Sequence, residues 1–294
     1  MVARGNGRRR YAPLVLLGAL LMSCGGGPAS GSGAAGTPVR PLAIRNAAAV
    51  SALHSGVVFL DPGHGGIDSG TTGIAADGTL VEEKTVVLQI ALRTAQRLRS
   101  DGVTVVLSRT SDQDPCATPS DYTADGTAFT PDGEVADLQC RIDKANASHA
   151  QALVSFHMNT FADPSVGGTT TFYDSTRSFA ARSQQLAQLI QQSVIGSLHG
   201  QGFTTPDRGV VDDTQLQVET INGQPSSYNH LDLLGPVLPG KIDPPSAMPG
   251  ALCEIFFLSD SSEATAAADP AMQDLLAGAF ATAIEQFLSN PGGS

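Results

Sequence analysis

Four residues of this chain carry side chains that bind metal ions or exchange protons, at positions where regular structure is predicted to end or to be buried. His64 lies in the segment DPGHGG (61–66), after the apolar run 57–60, and His157 follows a second apolar run, 152–156. Glycines around His64 permit a tight turn that leaves the imidazole accessible. Glu83 opens a predicted helix, and Glu254 interrupts the apolar run 252–258. Each residue alone also fits a purely structural role, so the chemistry depends on whether the fold brings them together.

Helix phase distinguishes two adjacent glutamates, Glu82 and Glu83, at the start of the helix predicted over 83–99. Acidic residues in a first helical turn often only complement the helix dipole. At 100° per residue, however, the centre of the apolar face lies about 50° from Glu83 and about 150° from Glu82. We therefore expect Glu83 to point towards the sheet, where a carboxylate is costly unless it meets a proton or a cation.

The order of the predicted elements brings these side chains to one edge. Short apolar runs alternate with helical patterns, which predicts an α/β fold: a single three-layer domain with a mostly parallel central sheet flanked by helices. Strands are predicted over 57–60, 103–107, 152–156, 169–173 and 252–258, and helices over 83–99, 137–148, 178–198 and 271–288. Such sheets bind ligands beyond the carboxyl ends of their strands. The long loops 108–136 and 203–250 are candidate rims or lids over a site there.

Two histidines at strand ends and one inward glutamate, with a fourth position open, describe a catalytic zinc site. Calcium and magnesium prefer more oxygen ligands. The sequence therefore predicts one Zn²⁺ per chain, bound by His64, Glu83 and His157.

Hydrolysis also requires a group that takes a proton from the attacking water and returns it to the leaving amine. Glu254 suits that role, and we expect burial to raise its pKa towards neutrality, unless it faces solvent from an edge strand.

The first 55 residues predict export and tethering. Residues 1–23 combine four arginines, no acidic residue and a short apolar run, which is typical of a signal peptide. A transmembrane helix is disfavoured because the run is about half of the roughly 20 residues that a span needs. The segment LMSC (21–24) resembles a bacterial lipobox and predicts a lipid anchor at Cys24, with ordinary secretion as the alternative. Residues 24–55 predict a flexible linker, and 56–290 a catalytic domain in the cell envelope, in the periplasm or on the outer side of the membrane.

Composition excludes nucleic acid as a partner. The net charge is −11, and removal of residues 1–23 makes it more negative. Binding to a phosphate backbone needs a basic face.

The cysteines differ in their surroundings. In an exported chain Cys116 and Cys140, which bracket a polar stretch, are candidates for a disulfide. Cys253 lies in an apolar run and is expected to be a buried thiol.

The ordered motifs resemble the zinc-dependent N-acetylmuramoyl-L-alanine amidases of bacterial cell-wall turnover. The similarity spans about residues 56–290 and includes DPGHGG (61–66), EK (83–84) leading into VVLQIAL (86–92), SR (108–109), Arg141, Asn146, SFHMN (155–159), RGV (208–210) and CEIFFLSD (253–260). The resemblance implies zinc binding by His64, Glu83 and His157 and acid/base catalysis by Glu254. It also implies the reaction, hydrolysis of the amide between the lactyl group of N-acetylmuramic acid and L-alanine in peptidoglycan or muropeptides, by a protein expected to be a monomer.

Two departures from the family pattern are Asp260, where asparagine is usual, and Thr85, where aspartate or asparagine is common. The segment 212–250, with Tyr228, Asn229 and His230, is a substrate rim, a movable cover or a plain insertion. His230 is a candidate substrate contact or an exposed loop histidine. Two other functions stay open: another zinc-dependent peptidase or deacetylase of the envelope, and a wall-binding lipoprotein without activity.

Overall fold

The computed structural model describes residues 56–290, except 217–219, 222–223 and 226–228. The predicted signal peptide, the linker up to residue 55 and Tyr228 lie outside the described residues. Among the helices in the described ranges, none combines the length and apolar character needed to cross a membrane.

A six-stranded mixed sheet forms the centre of the domain. Its strands are β1 (Val57–Pro62), β4 (Thr104–Leu107), β5 (Ala152–Asn159), β6 (Thr169–Tyr173), β7 (Asp207–Asp212) and β10 (Gly250–Phe257), in the spatial order β4-β1-β5-β10-β6-β7. The first four in that order are parallel, whereas β6 pairs antiparallel with β10 and parallel with β7. The carboxyl ends of β1, β5 and β10 therefore share one edge, and those of β6 and β7 lie at the opposite edge.

Helices cover both faces of this sheet, as the three-layer prediction requires. The helices are α1 (Glu83–Ser100), α2 (Pro131–Ala147), α3 (Ala180–Gly200), α4 (Ser261–Ala268) and α5 (Pro270–Ser289). The larger apolar core lies between the sheet and the layer formed by α1, α3 and α5. A smaller core on the α2 face includes Ile142 together with Leu233, Leu234 and Ile242 from the segment before β10. Two small hairpins pair β2 (Thr72–Ile74) with β3 (Leu80–Glu82) and β8 (Thr220–Ile221) with β9 (Gln224–Pro225).

The α/β fold class is confirmed, and the differences from the predicted elements have local causes. Helix α2 begins six residues earlier than predicted because the side chain of Thr130 accepts a hydrogen bond from the Gly133 amide and Pro131 occupies the first helical position. Strand β5 continues to Asn159, since β10 pairs with it beyond Phe156, so His157 lies within the strand and not after it. Strand β7 and helix α4 were not predicted.

A disulfide fastens the long loop 108–130 to α2. Cys116 of the loop is bonded to Cys140 of the helix, and Cys253 is a buried free thiol, as the sequence indicates. Burial raises the pKa of the Cys253 thiol to about 12, so it stays protonated and inert at neutral pH.

We predict that replacing both Cys116 and Cys140 by serine lowers the free energy of unfolding by about 3 kcal/mol, the loop-closure value for a 24-residue separation. Denaturation of the oxidised protein and of the double variant measures the difference. A reductant should destabilise the parent protein and leave the double variant unchanged; equal stability of the two oxidised proteins contradicts this role.

Candidate active site

His64 stands on a strained turn at the carboxyl end of β1. Its φ of 59° lies in the left-handed region, which is uncommon for a residue with a side chain. Two hydrogen bonds fix the turn: the Gly63 amide donates to the Phe156 carbonyl at 3.1 Å, and the Arg141 guanidinium donates to the His64 carbonyl at 2.7 Å. The surrounding structure thus imposes the direction in which the imidazole points.

Glu83 is the first residue of α1 and is only 2% exposed, whereas Glu82 is half-buried, as the helix phase predicts. Its Oε1 accepts a hydrogen bond from the Met158 amide at 2.8 Å, and its Oε2 accepts one from the Thr71 amide at 2.8 Å. These two amides hold the carboxylate in place and partly replace the water that it loses on burial.

The side chains of His64, Glu83 and His157 meet at one point, with their donor atoms within 4.8 Å of one another. Glu83 Oε1 lies 3.1 Å from His64 Nε2 and 3.0 Å from His157 Nδ1. Ligands of a tetrahedral zinc ion are separated by about 3.3 Å, since zinc–ligand bonds are about 2.0–2.1 Å long. The two nitrogens and one oxygen therefore fit a zinc ion in both type and spacing.

Two glycines leave the room that this grouping needs. A Cβ atom added at Gly63 would lie 2.3 Å from the His157 ring, and one at Gly70 would lie 2.5 Å from Glu83 Oε2. Both contacts are far shorter than van der Waals separation. Glycine at both positions is consequently required for the two imidazoles and the carboxylate to approach each other.

The charges in this cluster are strongly coupled. Burial opposes ionisation of Glu83, but His64 and His157 outweigh it and hold the pKa of Glu83 far below its usual range. Burial also opposes protonation of His64, yet the carboxylates of Glu83 and Asp68 raise the pKa of His64 well above its usual value. The structure therefore favours positive charge next to Glu83, which protons or a metal ion supply.

Asp68 orients the His64 ring, a role that the sequence reasoning missed. Its Oδ2 lies 2.6 Å from His64 Nδ1, and its Oδ1 accepts a hydrogen bond from the Gly70 amide at 3.0 Å. A carboxylate on one ring nitrogen fixes the tautomer and presents the other nitrogen, Nε2, as a ligand. The signal was available, since Asp68 lies four residues after His64 in the same glycine-rich loop.

Glu254 lies beside this cluster on β10. Strand pairing places it opposite His157 on β5 and opposite Thr170 on β6, so it belongs to an interior strand and is 7% exposed. Burial, together with the negative charge of Glu83, raises the pKa of Glu254 to about 8, in the predicted direction. Its buried Oε2 accepts no hydrogen bond within the described part of the chain.

A buried ionic network supports the His64 turn from below. Arg141 of α2 donates to Asp137 Oδ2 at 2.7 Å and to Asp61 Oδ1 at 2.9 Å, and Ser155 donates to Asp61 Oδ2 at 2.7 Å. Burial would raise the pKa of Asp61, but Arg141 and nearby hydroxyl groups lower it to about 2. The same guanidinium binds the His64 carbonyl, so the network connects α2 directly to the turn.

The loop after β4 forms one rim of the site. Arg109 donates to the carbonyls of Gly63 and Lys84, each at 2.8 Å. Lys84 in turn donates to the Gly66 carbonyl at 2.7 Å and pairs with Asp112 at 3.1 Å. The predicted rim 108–136 therefore contacts the His64 turn through these residues.

The described part of the segment 212–250 contacts the end of β7 and the α2 face of the sheet. Asp213 follows β7, and its carboxylate accepts a hydrogen bond from the Leu231 amide at 3.0 Å. Leu233, Leu234 and Ile242 of the same segment pack in the smaller core on the α2 face. The expectation of an exposed loop histidine at His230 is wrong, because its side chain is only 12% exposed, and it lies at the edge of the sheet opposite Glu254.

The two departures from the family pattern do not disturb the cluster. The Asp260 side chain caps α4 by accepting hydrogen bonds from the amides of Ser262 and Glu263. Aspartate and asparagine cap helices about equally well, which accounts for the substitution. Thr85 is exposed.

Comparison with known proteins identifies N-acetylmuramoyl-L-alanine amidases among the relatives of this chain. The family model described as N-acetylmuramoyl-L-alanine amidase matches residues 58–286. The germination-specific N-acetylmuramoyl-L-alanine amidase of Bacillus subtilis is 28% identical over 240 residues, which cover 82% of this chain and 83% of that protein.

Solved structures agree in fold over most of the chain. An N-acetylmuramoyl-L-alanine amidase from Clostridium difficile 630 aligns with a TM-score of 0.58 and 26% identity, covering 81% of this chain and all of that one. The CwlD amidase from Clostridioides difficile, solved in complex with the GerS lipoprotein, aligns with a TM-score of 0.56 and 26% identity, covering 80% of this chain and 98% of that one.

We predict that Arg141→Met lowers the free energy of unfolding by about 3–5 kcal/mol, because it leaves Asp61 and Asp137 buried without their cation. Arg97→Met is the matched control, since it breaks an exposed pair with Asp274 and should cost at most about 1 kcal/mol. Chemical denaturation measures both. A similar loss in the two variants contradicts a supporting role for Arg141.

Proposed function

The chain belongs to the N-acetylmuramoyl-L-alanine amidase family, and we propose that it cleaves peptidoglycan with one zinc ion held by His64, Glu83 and His157. Its reaction is hydrolysis of the amide between the lactyl group of N-acetylmuramic acid and L-alanine. The observation that carries the proposed site is the meeting of two imidazole nitrogens and one carboxylate oxygen beside Glu254. The zinc ligands, the role of Glu254 and the location of the protein are parts of this proposal.

His64, Glu83 and His157 fit the first coordination shell of a catalytic zinc ion, which keeps a fourth position for water or substrate. When bound, zinc supplies Lewis-acid polarisation of the amide carbonyl and lowers the pKa of the attacking water. The protein residues do the positioning. Asp68 presents Nε2 of His64, and the Met158 and Thr71 amides fix the Glu83 carboxylate.

Glu254 transfers the proton in this proposal. Burial and the charge of Glu83 raise its pKa to about 8, so the carboxyl group exchanges protons near neutral pH. Positive charge held by His64, Glu83 and His157 would favour the carboxylate form of Glu254 and lower that pKa. Glu254 then accepts a proton from the attacking water and returns it to the departing amine of L-alanine. A carboxyl group that titrates close to the working pH is suited to both transfers.

The proposed activity also implies where the protein acts. Cell-wall amidases act outside the cytoplasm, and residues 1–23 have the composition of an export signal. We place the domain in the cell envelope, tethered by a lipid on Cys24 and the linker 24–55. One short acyl chain holds a protein only reversibly at a membrane, so stable anchoring requires the multiple chains that a lipidated amino-terminal cysteine provides.

We predict that Glu83→Gln loses bound zinc and activity, because the neutral amide cannot balance the charge of the ion beside two imidazoles. Glu82→Gln, one residue earlier and half-buried, is the matched control and should keep both. Zinc content by mass spectrometry and amide cleavage measure the two variants. Full zinc occupancy in Glu83→Gln contradicts the ligand assignment.

Glu254→Gln is expected to keep its zinc and to lower kcat by about 10²-fold or more, the contribution of general acid–base catalysis. The two glutamate variants therefore separate metal binding from proton transfer. Undiminished hydrolysis by Glu254→Gln contradicts the assignment of the acid/base.

Digestion of purified peptidoglycan identifies the bond. We predict new L-alanine amino termini on the stem peptides and free lactyl carboxylates on the glycan, both detected by mass spectrometry. New amino termini within the stem peptide indicate a peptidase, and free glucosamine amines indicate a deacetylase. Either product, in place of L-alanine termini, contradicts the proposed specificity.

A further inference from the structure

A second group of metal-binding side chains lies at the opposite edge of the sheet from Glu83. Asp174 follows β6 and Asp213 follows β7, and the pairing of Tyr173 with Asp212 places these two aspartates side by side. His230 reaches them from the segment before β10. One ligand atom of each residue lies within 4.8 Å of the other two.

The three side chains are withdrawn from solvent. Asp213 is fully buried and Asp174 is 2% exposed, and the His230 side chain is 12% exposed. His230 Nδ1 lies 2.8 Å from Asp174 Oδ2 and 3.4 Å from Asp213 Oδ1. A tetrahedral zinc ion separates its ligands by about 3.3 Å, so only small adjustments would admit an ion between these atoms.

The hydrogen bonds of this group leave one oxygen unsatisfied. Asp174 Oδ1 accepts hydrogen bonds from Thr176, and Asp213 Oδ2 accepts one from the Leu231 amide. Asp174 Oδ2 is buried and forms an ion pair with His230, but the Nδ1 hydrogen bond goes to Asp213 Oδ1, so Asp174 Oδ2 accepts no hydrogen bond from any residue that the structure describes. A single Nδ1–H can serve one of the two facing carboxylates well, but not both.

The charges of Asp174, Asp213 and His230 also favour a bound cation. Two buried carboxylates face one imidazole, so a negative charge remains even when the ring is protonated. No cation of another residue is paired with these two carboxylates in the described ion pairs, which join them only to His230. A divalent ion would balance both carboxylates and satisfy all three donor atoms at once.

We propose that Asp174, Asp213 and His230 form a second metal site, which binds a divalent transition-metal ion such as Zn²⁺ and has a structural role. An imidazole nitrogen with two carboxylate oxygens suits such ions better than calcium, which prefers oxygen ligands alone. The ion joins the ends of β6 and β7 to the segment that begins at Asn229. It lies at the other edge of the sheet from Glu254 and has no part in hydrolysis.

Metal counting tests this proposal on the full-length protein. After dialysis against Zn²⁺ and then against metal-free buffer, the parent protein should retain two zinc ions per chain. A His64→Ala/His157→Ala variant isolates the second site and should retain one. Adding His230→Gln or Asp213→Asn to that variant should remove the remaining ion, whereas adding His149→Gln, at an exposed histidine, should not.

A second measurement covers variants that fold poorly. Zinc should raise the thermal midpoint of the His64→Ala/His157→Ala variant, since an ion that binds only the native state stabilises it. Loss of this response in Asp174→Asn supports the site. The proposal is overturned if the His64→Ala/His157→Ala variant retains no zinc and shows no shift, or if its zinc persists after His230→Gln. Neither result tests the proposed catalytic site, because the His64→Ala/His157→Ala variant lacks two of its three ligands.

Discussion

The burial of the Glu83 carboxylate is the constraint on which the site depends. An anion at the amino end of α1 and 2% exposed is stable only when hydrogen-bond donors and positive charge surround it. The amides of Thr71 and Met158 supply the donors, and the two imidazoles supply nitrogens at 3.0 and 3.1 Å. These groups come from the loop before α1, from the His64 turn and from β5, so all three must be in place before the carboxylate has its partners.

The same logic extends beneath the site. Arg141 binds Asp61, Asp137 and the His64 carbonyl, and in doing so holds a non-glycine residue at a positive φ. The contacts of this buried network thus stabilise a strained backbone conformation at His64, which fixes the direction of its imidazole. Functional geometry and folding stability are coupled here, since the turn that presents a ligand is also the place where α2 joins the sheet.

Local patterns predicted the parts of this arrangement that have a local cause. Amphipathic phase separated Glu83 from Glu82, and the alternation of strands and helices predicted that parallel strand ends would bring His64 and His157 together. The Asp61–Arg141 pair spans 80 positions of sequence and leaves no periodic signal, so its role could not be derived from the residues alone. The position of His230 was also inaccessible, because it depends on β6 and β7 running against the other strands and ending at the opposite edge.

The central claim is that one catalytic zinc ion sits between His64 Nε2, Glu83 Oε1 and His157 Nδ1, beside Glu254. An anomalous difference map from crystals of the zinc-loaded protein, recorded at the zinc absorption edge, tests it most directly. We expect a peak about 2.0–2.2 Å from each of these three atoms. Zinc-loaded crystals without a peak at this position, or with an ion there that lacks Glu83 as a ligand, would contradict it.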